Sequence, residues 1–291
     1  MERGWIQHGS RVRIVTYNCL AQSLAREFEG VDTESLAWEK RLPRIVAKII
    51  TAVAGDLPFV ICLQEVDEAC RDSLVEALGA ALRKNRDIQI RLVYEKNGGG
   101  VSFGQLVLWQ RCIDLESLRS PPHSKILVYR DHENAKQSQR GILINFRTFT
   151  LAATHLKAGR SESAARSAQM RQLLTAVASF NVELCGNLLA ERPLILAGDL
   201  NDQIYSRTLD VAAAANLSCV WMCDYKWTTW KRRAITSAAP DVGEKKMIED
   251  FILVRNAVVT AALAPPRDEG GCLPNENEPS DHVLLAADIS F

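Results

Sequence analysis

The sequence lacks an excess of charge of either sign. Its 35 basic and 35 acidic residues give a formal net charge of zero. A protein that grips long nucleic-acid duplexes through phosphate contacts alone usually carries a basic excess. Any basic surface on this chain must therefore be local, and the composition argues against a protein that coats duplexes.

Long apolar runs are also missing. No stretch approaches the length of a membrane span, and residues 1–11 contain no apolar signal segment. These absences predict a soluble, intracellular protein without membrane contact. We expect the cytoplasm as its location, with an organelle as the alternative, and we expect a monomer; the sequence does not specify protein partners.

Cysteine pairs with metal-binding spacing are absent among the eight cysteines. Cys219 and Cys223 lie four residues apart, but no second pair completes a zinc site. Several other cysteines lie in or beside apolar runs, where a reduced thiol behaves as a small hydrophobic group. The pattern predicts free thiols in a reducing compartment.

Apolar residues, by contrast, are plentiful. Hydrophobic types make up 47% of the 291 residues, which supports a sizeable core and argues against extensive disorder. The length allows one large domain or two small ones. Polar residues that adjoin apolar runs are spread from Asn18 to His282 and must meet if they form one site. The sequence therefore predicts a single domain over residues 1–291.

Helical and strand patterns alternate along the chain. The spacing of apolar residues predicts helices over 42–53, 67–83, 163–190 and 205–215. Short apolar runs between them predict strands, whereas residues 219–246 read as irregular, aromatic and basic. Helices that alternate with runs of consecutive strands predict an α/β fold: a layered sandwich of two sheets with helices outside.

Five short polar segments adjoin apolar runs. Four of them closely follow a run and the fifth directly precedes one; they are Tyr17-Asn18, Gln64-Glu65, Thr154 to Lys157, Gly198 to Asn201, and Ser280 to His282. Buried strands place their end residues at the rim of a packed sheet, where residues far apart in sequence can meet. The five segments together predict one polar site.

Glu65 is the predicted metal ligand of this site. A carboxylate at a sheet rim suits Mg²⁺, which prefers oxygen ligands and keeps several waters. The competing interpretation is an acidic helix N-cap, because a helix is predicted directly afterwards. Asn18 is predicted to bind the metal or the attacking water, and the alternative is a turn-forming asparagine.

Asp199 and Asn201 are predicted to handle the attacking water. Alternation places both on the same side of an extended segment, where a carboxylate can activate water and an amide can hold a phosphoryl oxygen. An Asx-turn that opens the helix near Tyr205 is the alternative.

Two histidines are predicted to stabilise charge on a phosphoryl group. His155 is followed by Lys157, which would add a positive charge on the same side. His282 is predicted to pair with Asp250, because a carboxylate fixes the tautomer of an imidazole and raises its basicity. Asp281 should point away from His282 within a strand, so it is left to face the metal or to cap a turn.

The order of these residues resembles the endonuclease/exonuclease/phosphatase superfamily over nearly the whole chain. Residues 154–158, 166–169 and 228–231 resemble more specifically its nocturnin and poly(A)-deadenylase branch. The resemblance implies a four-layered α/β sandwich, with two packed mixed sheets flanked by helices. It also implies Mg²⁺-dependent hydrolysis of a phosphoester, with Mn²⁺ as the alternative ion.

The resemblance also implies roles for individual residues. Glu65 matches the principal metal ligand, and the pair of His282 with Asp250 matches the family's His-Asp pair. Lys157 and Arg233 match positions that contact a substrate phosphate. Positions matched to metal, water, phosphate or substrate binding are Asn18, Asp199, Asn201, His155, Trp230 and Lys231.

The substrate is left open between two classes. A nocturnin-like pocket implies removal of the 2′-phosphate from NADP(H), whereas deadenylase relatives cut adenylate from RNA 3′ ends. Neutral charge and the lack of an appended RNA-binding module favour the compact nucleotide. Trp227 and Trp230 would stack on a base or pack at the rim. A non-catalytic binding module of the same fold is the remote alternative, since such a module would have lost Glu65, Asp199 or His282.

Overall fold

Two mixed six-stranded sheets lie face to face in the structure, a computed structural model that describes residues 11–25, 28–85, 88–114, 123–146, 148–185, 192–220, 227–232, 243–263 and 271–291. The strands are β1 (Arg11–Asn18), β2 (Phe59–Asp67), β3 (Ile90–Lys96), β4 (Phe103–Gln110), β5 (His123–Arg130), β6 (Lys136–Asn145), β7 (Thr150–His155), β8 (Leu194–Asp199), β9 (Ser218–Cys219), β10 (Thr229–Arg232), β11 (Glu244–Met247), β12 (Asp250–Arg255), β13 (Val258–Leu263) and β14 (Leu285–Ser290). The helices are α1 (Trp38–Ala52), α2 (Glu68–Asn85), α3 (Ser163–Cys185) and α4 (Arg207–Ala214), with short 3₁₀ turns at Arg111–Asp114 and Arg160–Glu162.

The sheets have similar mixed topologies. The first has the strand order β13-β14-β1-β2-β4-β3, and the second has the order β5-β6-β7-β8-β12-β9. In each sheet one central pair is parallel, β1 with β2 and β7 with β8, while the neighbours β14 and β12 run antiparallel to it. A separate hairpin pairs β10 with β11.

Three layers of apolar packing hold the sandwich together. Inward-facing residues of both sheets, such as Val60 and Ile195, form the central core. The outer face of the first sheet packs against α1 and α2, and the outer face of the second packs against α3 and α4. Each sheet is thus buried on both faces, as predicted for apolar strands. The predicted four-layered α/β sandwich is confirmed.

Several element predictions need correction. Residues 219–246 were expected to be irregular, but their described part includes the strands β10 and β11. Strand β13 was not predicted, and the last strand begins at Leu285, two residues beyond the start that the sequence predicts directly after His282. These strands are short or at an edge, so their apolar runs are too weak to stand out in the sequence. The last predicted turns of the helix to Ala190 fall outside the described residues, which end for that helix at Cys185.

Strand register brings the predicted site residues to one edge of the sandwich. In the first sheet Asn18 lies opposite Gln64, where the pairing of β1 with β2 ends. In the second sheet Asp199 lies between His155 of β7 and Asp250 of β12. Because the strands of each parallel pair end on the same side and β12 starts there in the opposite direction, this edge carries the ends of β1, β2, β7 and β8 and the start of β12. Within the described ranges, no helix is long and apolar enough to cross a membrane.

Gly198 is required where β7 and β8 approach each other. It has φ of +150°, and a Cβ built on it would lie 1.8 Å from the carbonyl oxygen of Thr154 on β7. Gly198→Ala must therefore push the two strands apart, and we expect it to lower the free energy of unfolding by about 3 kcal/mol or more. Urea denaturation followed by circular dichroism measures this loss.

The control for this substitution is Gly79→Ala in α2. The three described atoms nearest to a Cβ at Gly79 all belong to the flexible side chain of Arg83, the first of them at 3.3 Å. Alanine is a better helix former than glycine, so we expect a gain of about 0.5–1 kcal/mol. A Gly198→Ala protein as stable as the wild type would contradict the pairing of Gly198 with Thr154.

Candidate active site

The converging strand ends place five acidic and imidazole side chains in one cluster. Possible ligand atoms of Glu65, His155 and Asp199 lie within 4.8 Å of one another, and the same holds for Asp199, Asp250 and His282. Asp199 belongs to both groups, so it lies at the centre of the cluster. The structure brings together residues from both sheets that are up to 217 positions apart in the chain, from Glu65 to His282.

Glu65 enters the cluster through a β-bulge. The β2–β4 register shifts between Leu63 and Val66, and Glu65 itself has a left-handed φ of +56°. Such a bulge re-aims a side chain that regular alternation would place elsewhere. Helix α2 begins only at Glu68, so Glu65 is not the helix N-cap that the alternative interpretation required. Gln64 hydrogen-bonds to Thr16 and does not orient Glu65 through any contact described.

Asn18 orients the two carboxylates of the cluster. Its Nδ2 donates to Glu65 Oε1 and to Asp199 Oδ2, both at 3.0 Å, while its Oδ1 accepts from the backbone N–H of Leu20 at 3.0 Å. Since the oxygen is taken up by Leu20, the nitrogen faces the cluster. Asn18 thus acts here as a hydrogen-bond donor, and its part in binding the metal or the attacking water stays a prediction.

Asp199 uses its two oxygens for different purposes. Oδ1 accepts from the backbone N–H of Asn201 at 2.8 Å, which is a local Asx-turn. Oδ2 lies 3.6 Å from His155 Nε2 and 3.8 Å from His282 Nε2. Asp199 therefore forms an Asx-turn with one oxygen and faces the two histidines of the site with the other. The turn does not open α4, whose N-cap is Ser206.

Asn201 connects two of the loops at the site. It has a left-handed φ of +51°, and its Nδ2 donates to the carbonyl of Leu156 at 3.1 Å. That carbonyl belongs to the residue after His155. Asn201 thereby fixes the loop after β7 against the loop after β8, beside the predicted water-handling position.

His282 and Asp250 form the predicted pair. His282 Nδ1 lies 2.8 Å from Asp250 Oδ2, and both residues are buried. The hydroxyl of Thr228 also donates to Asp250 Oδ2, at 2.7 Å. Burial by itself lowers the pKa of His282, but the carboxylates of Asp250, Asp281 and Asp199 outweigh it and raise the pKa to about 10. The imidazolium form, a donor at both nitrogens, is thus favoured at neutral pH.

His155 lies at the outer side of the cluster. Its Nε2 is 4.0 Å from Glu65 Oε1, and its ring stacks against that of Phe103 with centroids 6.5 Å apart. Phe103 is half-buried at the start of β4. An aromatic ring therefore adjoins the cluster at a position that sequence reasoning did not select; its only sequence signal is that it precedes a predicted strand.

Asp281 and Lys231 lie to one side of the cluster and bind each other. Lys231 Nζ is 3.4 Å from Asp281 Oδ2 and 3.7 Å from Glu249 Oε2. Asp281 Oδ1 is 4.0 Å from His282 Nε2, so Asp281 does not point away from His282. The expectation of alternation was wrong here because residues 281–284 precede β14 and are not part of a strand. Lys231 faces carboxylates rather than an open phosphate position.

Glu249 is a buried carboxylate that sequence reasoning missed. Burial raises its pKa to about 7, although Lys231 opposes that rise. Its position directly before Asp250, at the start of an apolar strand, is a signal that could have found it. Thr228 belongs to the motif at 228–231, and no role was predicted for it. Its hydroxyl donates to Asp250 and so positions that carboxylate.

The predicted substrate-binding residues have different surroundings. Trp230 packs edge-to-face on Trp227 at 5.4 Å, and Lys246 Nζ lies 3.6 Å above its ring. This arrangement favours rim packing over base stacking for Trp230. Lys157 is half-buried and makes no ion pair within the ranges described. Arg233 lies outside the described residues.

Lys157 is held in place through its backbone. Gln169 accepts from its N–H at 2.9 Å, and the Arg166 guanidinium donates to its carbonyl at 3.2 Å and to that of Gly159 at 2.6 Å. Arg166 is itself buried beside Asp202, with Nε and Oδ2 3.2 Å apart. The motif at 166–169 thus anchors the loop that follows His155.

The residues of the cluster fit a divalent cation. Glu65 and Asp199 are neighbouring carboxylates that share one amide donor, and a cation would neutralise them. Asp250 Oδ1 is buried without a hydrogen-bond partner among the described residues. Carboxylate oxygens of this kind suit hard cations such as Mg²⁺ and Mn²⁺.

A four-layered sandwich with carboxylates and histidines at its converging strand ends is the architecture of a phosphoester hydrolase. A family model described as the Endonuclease/Exonuclease/phosphatase family matches residues 15–282, and the chain belongs to this family. The matched range includes every cluster residue named above. The members of this family are metal-dependent phosphoesterases and nucleases.

Individual relatives narrow the resemblance to one branch. The chain is 29% identical to nocturnin of Mus musculus over 318 residues, which is 97% of this chain and 66% of that protein. It is 27% identical to nocturnin of Homo sapiens over 314 residues, or 96% of this chain and 65% of that protein. The chain therefore spans about two thirds of the length of these relatives. The predicted nocturnin-like resemblance is confirmed.

Solved structures share the fold. ANGEL2, described as a 2′,3′-cyclic phosphatase in complex with adenosine-2′,3′-vanadate, has a TM-score of 0.74 at 17% identity, over 97% of this chain and 96% of that one. The catalytic domain of human nocturnin with a bound sulfate anion has a TM-score of 0.69 at 22% identity, over 97% of this chain and 94% of that one.

Proposed function

We propose that this protein hydrolyses a phosphoester of a nucleotide with the help of a divalent cation, Mg²⁺ in the first place. The observation that carries the proposal is the position of Asp199, a buried carboxylate that faces two imidazoles from different segments and shares an amide donor with Glu65. A carboxylate base, imidazole donors and a cation ligand within a few ångströms are the groups that phosphoryl transfer to water requires.

Each residue of the cluster has a distinct part in this reaction. Glu65 is the principal ligand for the cation, which when bound polarises a non-bridging phosphoryl oxygen and neutralises developing charge. Asp199 Oδ2 orients the attacking water and accepts its proton. His282, held by Asp250, and His155 donate hydrogen bonds to the phosphoryl oxygens. Asn18 keeps the carboxylates of Glu65 and Asp199 apart in fixed orientations.

We propose further that the substrate is NADP(H) and that its 2′-phosphate is removed. The nocturnin-like sequence supports this choice, and ANGEL2, of the same fold, is named for phosphoryl chemistry at the 2′ and 3′ positions of a ribose. Lys157 lies two residues after His155 and makes no ion pair within the described residues, so its ammonium is available to a phosphate. Phe103 stacks beside His155 and suits contact with a ribose or base next to the reacting phosphate, a part for which Trp230 is poorly placed.

Purified protein incubated with NADPH and, separately, with a short oligoadenylate tests the substrate. We expect phosphate release from NADPH with Mg²⁺ and none with a chelator, measured by phosphate assay and chromatography of the products. Glu65→Gln protein prepared in the same way controls for contaminating phosphatases. A shortening RNA ladder without NADPH hydrolysis would replace our proposal with a 3′-to-5′ exonuclease.

A third incubation, with adenosine 2′,3′-cyclic phosphate, covers the reaction for which ANGEL2 is named. Turnover of the cyclic phosphate alone would move the substrate to that class and keep the phosphoesterase proposal. If none of the three substrates is turned over in the presence of Mg²⁺ or Mn²⁺, the non-catalytic binding module is favoured.

A further inference from the structure

We propose that Arg41 is a positioning residue that joins the two loops supporting Glu65 and His282, and that it thereby sets the affinity of the site for a divalent cation. Arg41 lies in the first turn of α1 and donates none of its described hydrogen bonds to a side chain of the cluster, and sequence reasoning gave it no role. The inference rests on the proposed function for the identity of the site, but the affinity can be measured without turnover.

Arg41 is a fully buried arginine whose partners are mostly backbone carbonyls. It is 0% exposed and is among the largest fully buried side chains. Its Nε donates to the carbonyl of Pro279 at 2.7 Å, and its Nη2 donates to the carbonyls of Leu20, at 2.6 Å, and Cys19. A planar guanidinium can serve several acceptors in fixed directions, and a lysine ammonium cannot reproduce that fork.

The first of these loops ends in hydrogen bonds to the cluster. Leu20 has a left-handed φ of +57°, and the turn it forms brings the N–H of Ala21 to within 3.1 Å of Glu65 Oε2. The N–H of Leu20 donates to Asn18 Oδ1, which leaves the Asn18 nitrogen for Glu65. Both Glu65 oxygens thus depend on a turn whose carbonyls are bound by Arg41.

The second loop carries His282. Ser280 follows Pro279, and its hydroxyl donates to the carbonyl of Asn18 at 2.6 Å and accepts from the N–H of His282 at 3.2 Å. Arg41 binds the carbonyl directly before Ser280. One guanidinium therefore links the segment after β1 to the segment before β14. Asn18 contacts both segments, through the N–H of Leu20 and the hydroxyl of Ser280.

Arg44 is a second arginine of α1 that contacts backbone carbonyls but does not join the two loops. Arg44, one turn further along α1, donates to the carbonyls of Ser35, Asn275 and Glu276. These contacts fasten the same helix to the chain before Pro279, but none of them reaches the Cys19 to Ala21 turn. Arg44 thus resembles Arg41 in chemistry and in helix position without bridging the two loops, and it provides a matched control.

The test measures Mn²⁺ binding to the full chain by calorimetry, in the absence of substrate. For Arg41→Lys and Arg41→Gln we expect the affinity for Mn²⁺ to fall about 10- to 100-fold, as is typical when a partner that orients a ligand is lost. Arg44→Gln should bind Mn²⁺ as the wild type does. With NADPH as substrate, kcat of the Arg41 variants should fall more than KM rises, and excess Mn²⁺ should restore part of the rate to Arg41→Lys.

A second control separates positioning from loss of stability. Ile49→Ala truncates a fully buried apolar side chain of the same helix that holds neither loop by a hydrogen bond, and we expect it to lower the melting temperature while leaving Mn²⁺ affinity intact. Folded Arg41 variants that bind Mn²⁺ within twofold of the wild type would overturn the inference, as would an equal loss in Ile49→Ala. Wild-type protein that binds Mn²⁺ but turns over no substrate would refute the proposed function and leave the affinity comparison decisive for Arg41. Wild-type protein that binds no Mn²⁺ would overturn both.

Discussion

Asp199→Asn is expected to reduce the turnover number about 1,000-fold while the protein stays folded. Asp199 accepts one hydrogen bond on each oxygen, from Asn18 and from the backbone of Asn201. An asparagine must turn its amide nitrogen toward one of these donors, and it cannot accept a proton from water. The variant therefore loses both the negative charge and the orientation at the centre of the cluster. Steady-state rates at saturating Mg²⁺, with melting temperatures, measure the effect.

Asp288→Asn is the matched control for this substitution. Asp288 is also a buried aspartate, and it pairs with Arg13, with Nε and Oδ1 2.6 Å apart, in the body of the first sheet rather than at the site edge. Loss of its charge should reduce stability but leave the turnover number within about twofold, because it touches no group of the cluster. Similar rate losses in the two variants would show that Asp199 matters only for folding.

Glu65→Gln is expected to abolish Mg²⁺-dependent turnover, with a loss of about 100- to 1,000-fold at any cation concentration tested. The substitution preserves size and keeps an oxygen for the N–H of Ala21, so the bulge should hold, while the new amide nitrogen replaces the oxygen that accepts from Asn18 Nδ2. A neutral amide is a much poorer ligand than a carboxylate for a hard cation. Calorimetric titration with Mn²⁺ should show binding to the wild type and a large loss in the variant.

Glu68→Gln tests whether any glutamate in this region has the same effect. Glu68 lies three residues later at the start of α2 and forms an exposed ion pair with Lys96, at 2.6 Å. Exposed pairs of this kind contribute little, so rate and Mn²⁺ affinity should be unchanged. Near-normal Mg²⁺-dependent turnover of Glu65→Gln would refute the assignment of Glu65.

The sequence indicates which residues lie together where each residue follows a strong apolar strand, whereas the catalytic roles of these residues stay predictions. Glu65, His155 and Asp199 end β2, β7 and β8 or lie within their final residues, and the structure places all three in one cluster. The length of each apolar run is visible in the sequence. The end of the run marks the point at which the strand reaches the edge of the sheet. The pairing of His282 with Asp250 followed from the need of an imidazole for a carboxylate partner, and the 2.8 Å contact agrees with it.

Predictions that depended on side-chain direction outside regular strands were less reliable. Asp281 was expected to face away from His282, yet it lies beside it because the chain there is not extended. Lys231 is occupied by Asp281 and Glu249, and Trp230 is covered by Lys246. These partners come from other segments of the chain, so no local pattern indicates them.

The sequence by itself determined the kind of fold and the kind of chemistry. Continuous apolar runs indicate strands buried on both faces, and the polar types at their ends are those of cation-assisted phosphoester hydrolysis. The tertiary structure alone decided which atoms face each other. The β2 bulge turns Glu65 inward, Asn18 presents its nitrogen, and the buried guanidinium of Arg41 joins two loops that are 259 residues apart, from Leu20 to Pro279. Such contacts are set by strand register and packing between distant segments, whereas periodicity describes only a residue and its neighbours in the chain.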